Sequence, residues 1–146
     1  FENIILFGIL INISAGIGSF IFAWVDDKIG PKSTICLCLL ALIILSIVLV
    51  IINSQTEFWI YGTALGLFVG PVQSASRSLM IKITPENTYT EMFGFYSFSG
   101  KATAFLGPAA LAAVTLAFNS QRFGMFTIVL FFLCGLLILV TIRTDH

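Results

Sequence analysis

Residues 35–52, ICLCLLALIILSIVLVII, pass without one Asp, Glu, Lys, Arg or His. A helix of about 20 such residues reaches across the hydrocarbon core of a bilayer. Four more stretches qualify, so the sequence predicts five spans at 4–25, 33–53, 58–80, 92–117 and 123–142. The breaks are DDKIGPK, NSQTE, TPENTYTE and NSQR, short and rich in turn residues, which makes neighbouring helices antiparallel partners in one bundle. The fold class expected is all-α, a polytopic transmembrane bundle. Composition agrees: 58% of the 146 residues are hydrophobic and 10% charged. A soluble domain averages about 25% charged residues, so this chain cannot cover a water-exposed surface.

Charge then sets direction. Lys28 and Lys32 lie in the first loop, Arg77 and Lys82 flank the third, and Arg143 follows the last span, while Arg122 stands alone on the other side. By the positive-inside rule the loops 26–32 and 82–91 and the C-terminus are cytoplasmic. Net charge is zero, which suggests no nucleic-acid partner. Cys36, Cys38 and Cys134 sit in apolar runs without a CxxC spacing and read as small packing residues. His146, the single histidine, has no second ligand group near it, so no metal and no cofactor is expected. The chain begins Phe-Glu-Asn-Ile-Ile, at the edge of its first apolar run and with no basic region before it. That run is not expected to be a signal peptide, and the expectation is a C-terminal fragment whose N-terminal half is missing.

Projection at about 100° per residue separates two kinds of span. In the third, Gly62, Gly66, Gly70, Gln73, Ser74 and Arg77 share one arc; in the first, Gly8, Asn12, Ala15, Gly16, Ser19 and Ala23 form a stripe. Small residues let helices approach closely, and the amides and hydroxyls need partners or water. The fourth span gathers Gly94, Ser97, Gly100, Lys101, Ala104, Gly107 and Pro108 less cleanly, with Lys101 at the margin. The second and fifth have almost no polar face and read as lipid-exposed supports.

Three motifs remain. The segment AWVDDKIGPK, residues 23–32, resembles the loop motif G-x-x-x-D-R/K-x-G-x-R/K of the major facilitator superfamily. Asp27, Lys28, Gly30 and Lys32 match it, and Ala23 replaces its first glycine. GPVQSASRS at 70–78 and EMFGFYSFSGKATAFLGP at 91–108 resemble the vacuole-effluxer-like branch of that superfamily, the autophagy-related vacuolar amino-acid effluxers and their bacterial relatives. Val72, Gln73, Ser76, Arg77 and Ser78 match the first pattern; Glu91, Phe93, Gly94, Tyr96, Gly100, Lys101, Gly107 and Pro108 match the second. Pro71 stands where glycine is usual. The resemblance implies spans eight to twelve of a twelve-helix transporter, with the eighth, tenth and eleventh approaching a central cavity.

On this reading Asn12, Gln73, Tyr96 and Lys101 are the substrate-cavity candidates. Asp27, Lys28, Gly30, Lys32, Arg77 and Glu91 belong to a cytoplasmic gate, and Gly62, Gly66, Gly70, Pro71, Gly107 and Pro108 to helix packing or hinges. Several have an alternative, and for Arg77 it is substrate binding. Residues 26–32 also suit a solvated turn, helix packing explains Gln73 equally well, and Lys101 can snorkel to the headgroups or be held inside by a carboxylate, substrate or cavity water. The expected function is alternating-access transport of a small polar solute, by resemblance amino acids, in a membrane that is the inner membrane of a bacterial cell. The partners are the solute, the bilayer and the missing helical half. The alternative is a non-transporting scaffold or anchoring subunit. No HExxH, paired carboxylates or nucleophile–base pair occurs in the spans, so an enzyme is not expected.

Overall fold

One glycine performs the first reversal of the chain. Gly30 has φ +85°, a conformation that side-chain-bearing residues resist, and Pro31 behind it supplies a first helical residue that needs no N–H partner. The Gly30 N–H closes the preceding helix on the Asp26 carbonyl at 2.9 Å, and its own carbonyl accepts from Thr34 N–H at 3.1 Å to open the next. A single residue thus ends one helix and starts another. The remaining breaks are extended residues at Ile52 and Ser54, Thr84 before Pro85, and a left-handed Asn119 (φ 48°).

The computed structural model of the protein describes residues 2–142; Arg143 and His146, named above, lie outside the described residues. Five helices follow in order: α1 (Glu2–Ile29), α2 (Pro31–Ile51), α3 (Gln55–Ile83), α4 (Tyr89–Phe118) and α5 (Gln121–Thr141), with a 3₁₀ turn at Glu86–Thr88 before α4. All five expected spans are helices. The expected cytoplasmic loops are shorter than the sequence suggested, because Asp26, Asp27 and Lys28 continue α1 and Tyr89 to Glu91 already belong to α4. Four helical segments, α1, α2, residues 86–118 and α5, are long and apolar enough to cross a membrane. At 29 residues α3 is as long, but its glycines, Gln73, serines and Arg77 make it less apolar. The protein is an all-α, membrane-spanning bundle.

The helices form a row of neighbours, α1 on α3, α3 on α2, α2 on α5, α5 on α4. The core lies along α2: Ile35, Cys38, Leu39, Leu42, Ile43 and Leu49 are buried, joined by Ala75, Leu79 and Met80 from α3 and Val129 and Leu139 from α5. This reverses the expectation that α2 is a peripheral, lipid-exposed support. Its lack of a polar face serves protein contacts on two sides. In contrast, α4 has no buried residue and α1 only Gly18.

Candidate functional site

α1 and α3 meet along a seam of small residues and run in the same direction. A Cβ on Gly62 would strike the Phe7 ring, one on Gly66 would stand 2.7 Å from the Ile11 carbonyl, and one on Gly70 would strike Ala15 and Ser19. Gly62, Gly66 and Gly70 are therefore contact positions. Across the same seam Ser14 Oγ donates to the Thr63 carbonyl at 2.8 Å. Pro71 is buried inside α3 and has no N–H, so the Leu67 carbonyl one turn back loses its helical donor. Gly18 packs onto that freed oxygen so tightly that any Cβ there would overlap it. A proline and a glycine on different helices form one joint.

Beside the seam lies a groove of about 340 Å³ lined by Ala15, Gly16, Ser19, Gly70, Gln73, Ser74 and Arg77. Gln73, Ser74 and Arg77 are all exposed along it. Ser19 Oγ donates to the Ala15 carbonyl at 2.9 Å, which leaves its lone pairs as acceptors. The groove thus offers a guanidinium, a carboxamide and a hydroxyl acceptor.

Other candidates are not gathered there. Asn12 stands one turn from Gly16 on α1 and donates to the Gly8 carbonyl of its own helix at 2.8 Å. Tyr96 is half-buried in a separate, mainly apolar recess of about 360 Å³ with Ile35, Leu39, Val72 and Met80. Lys101 is exposed on α4, whose principal helix contact is α5. Gly107 lies on the same helix with nothing within 4 Å of where its Cβ would be, and Pro108 is exposed.

The gate candidates also separate. Asp27 and Glu91 are exposed, Glu91 in the first turn of α4, where a carboxylate complements the helix dipole. The Lys28 ammonium lies 5.0 Å from the centre of the Trp24 ring. Lys32 donates to the Ile142 carbonyl, a cation at the C-terminal end of α5 that ties it to the start of α2. Arg77 lines the groove with Gln73. Sequence reasoning overlooked Asp26. Its Oδ1 is buried without a hydrogen-bond partner, in a narrow space bordered by Ser19, Thr34, Pro71 and Ser74. Asp26 follows Ser19 by seven residues, two helical turns on one face, so the period that marked Ser19 also pointed at it.

The described residues form a membrane-spanning helical bundle, without strands, that carries a polar groove along one small-residue seam. Residues 2–146 match the family described as Vacuole effluxer Atg22 like, and the chain belongs to that family. Among similar curated proteins, the uncharacterized MFS-type transporter YxiO of Bacillus subtilis is 24% identical over 87% of this chain and 30% of its own length. Autophagy-related protein 22 of Candida glabrata is 29% identical over 85% of this chain and 25% of its own. Its namesake from Cryptococcus neoformans is 25% identical over 84% and 24%. The chain therefore spans less than a third of the length of these relatives. No solved structure matches it.

Proposed function

We propose that this chain is the C-terminal helical bundle of a secondary transporter that moves a small polar solute by alternating access, rocking against a second bundle as such repeats do. The observation that carries the reading is the α1–α3 groove, where Gln73 and Arg77 stand exposed beside a close-packed seam. A polar recess on a membrane helix pair needs water, solute or protein to satisfy it. Family membership supports transport, and the name of the Bacillus subtilis relative speaks of MFS-type transport.

The groove's chemistry favours a zwitterion such as an amino acid. Arg77 matches a carboxylate through paired N–H donors, and the Ser19 lone pairs and Gln73 carbonyl suit an ammonium. The basic residues near Gly30 and Lys82 support placing those ends of the helices in the cytoplasm.

The test uses the complete protein in proteoliposomes loaded with a radiolabelled amino-acid pool, with the matched decarboxylated amines as competitors. Amino-acid flux is expected and the amines are not expected to reduce it, while Arg77→Gln is expected to lower it by roughly tenfold or more, the loss of one charge-assisted contact. Wild-type flux in that variant removes Arg77 from the solute path. An intact, folded protein that carries no solute at all favours the scaffold reading.

A further inference from the structure

Where α1, α2 and α3 converge near the Gly30 turn, Asp26 borders a narrow space between the helices. Its Oδ1 is buried and has no hydrogen-bond partner among the described residues. The hydroxyls of Ser46, Thr84 and Thr115 are buried without partners as well. A hydroxyl, however, carries its own proton and rotates to offer it to a nearby carbonyl, whereas a carboxylate oxygen only accepts. Buried charges are paired with an opposite charge or coordinate a metal, because an uncompensated charge away from water is costly. Asp26 therefore calls for a donor that bears positive charge.

The walls of the space supply none. Ser19 and Phe22 of α1, Thr34 of α2, and Pro71 and Ser74 of α3 line it, and no basic residue does. Thr34 Oγ1 donates to the Gly30 carbonyl at 3.0 Å and Ser19 Oγ to the Ala15 carbonyl at 2.9 Å, so each has only lone pairs left to offer. The space holds about 10 Å³, roughly one water-sized sphere. A compact ammonium head, with three donors on one nitrogen, suits both the size and the acceptors, and the broad planar fork of a guanidinium does not. A metal ion is poorly served. One carboxylate oxygen and a few hydroxyls fall short of the roughly six to eight oxygens that calcium gathers, and no cluster of three His, Cys, Asp or Glu side chains occurs among the described residues.

This space adjoins the solute groove, because Ser19 and Ser74 line both. Arg77 follows Ser74 by one turn on the same helix face. Ser19 and Asp26 stand seven residues apart on α1, about 10 Å along its axis. We propose that Asp26 is the subsite for a second ammonium group, and that the solute is a diamino acid of the lysine kind. Its carboxylate lies on Arg77 and its α-ammonium on Ser19 and Gln73, while a four-carbon stem carries the ε-ammonium to Asp26, Thr34 and Ser74. A short or neutral side chain would leave Oδ1 without a charge partner. The inference rests on the transport reading for its choice of the groove as the solute path, and it adds the class of solute.

The experiment measures equilibrium binding of radiolabelled lysine and norleucine to the complete protein in nanodiscs, with flux of both into proteoliposomes followed alongside. Norleucine keeps the carboxylate, the α-ammonium and the stem and lacks only the ε-ammonium. Lysine is expected to bind about tenfold tighter or more, the scale of one charge-assisted contact. Asp26→Asn is expected to abolish that preference. Thr34→Val, which keeps the shape and removes one acceptor, is expected to lower it several-fold, and it reads the subsite should Asp26→Asn not fold. Equal affinities in the wild type, or a preference that the variants leave intact, would overturn the subsite, and amino-acid flux would then leave the transport reading standing. A lysine preference that depends on Asp26 without any flux would support the subsite and remove the transport reading. No binding of either amino acid would overturn both.

Discussion

At the scale of single residues the fold turns on where a Cβ is forbidden. Gly18 rests on the carbonyl that Pro71 has freed, and backbone atoms there cannot give way as a flexible side chain can. Gly18→Leu is expected to cost about 1–3 kcal/mol by overpacking, read as a lower unfolding temperature in detergent. Gly8→Ala, at a position with nothing within 4 Å, is the matched control and is expected to leave stability nearly unchanged. The contact side of this seam was legible in α3, whose Gly62, Gly66 and Gly70 repeat every four residues. Its partner was only half legible. The stripe read from α1 contained Ala15 and Ser19, which do meet Gly70, but Phe7, Ile11 and Gly18 complete the seam. Periodicity gives a helix its faces and leaves open which face a neighbour selects, because that choice depends on the facing helix's register. Asp26 was missed for a related reason: beside Asp27 it looked like part of a solvated turn, and only the continuation of α1 carries its carboxylate inward.

At the scale of the helices, spans were legible because hydrocarbon thickness fixes their length, and breaks because Gly, Pro and Asn announce them. Gly30→Val puts a β-branched residue at φ +85° and is expected to cost about 1–2 kcal/mol. The check is a lower thermal midpoint, with a larger drop than the same substitution at exposed Gly100. The role of α2 was not legible. An all-apolar helix suits lipid and protein interior alike, and only the arrangement of neighbours tells them apart. α4 poses the opposite problem, since its lysine and small residues face no helix but α5 along most of their length. Lys101 stands twelve residues inside α4, about 18 Å along its axis, which is deep for a cation without a purpose. In the complete protein Lys101→Ala is expected to lower flux by an order of magnitude or more while membrane abundance stays at the wild-type level. Undiminished flux would show Lys101 to be a snorkelling residue.

Taken together, the described residues are a row of five rods with an apolar floor along α2 and polar features displaced to its flanks. Because α1 and α3 run in the same direction, the groove between them follows their common axis, and Arg77 lies toward the end at which Lys28 and Lys82 stand. A transport path must admit water from at least one side. The most direct measurement is the reactivity of a Gln73→Cys variant of the complete protein, with its native cysteines replaced, toward a membrane-impermeant thiol reagent applied to each face of sealed vesicles. The account predicts rapid modification from one face, slowed by transported solute. Inertness from both faces, with the variant folded and reactive after denaturation, would contradict it.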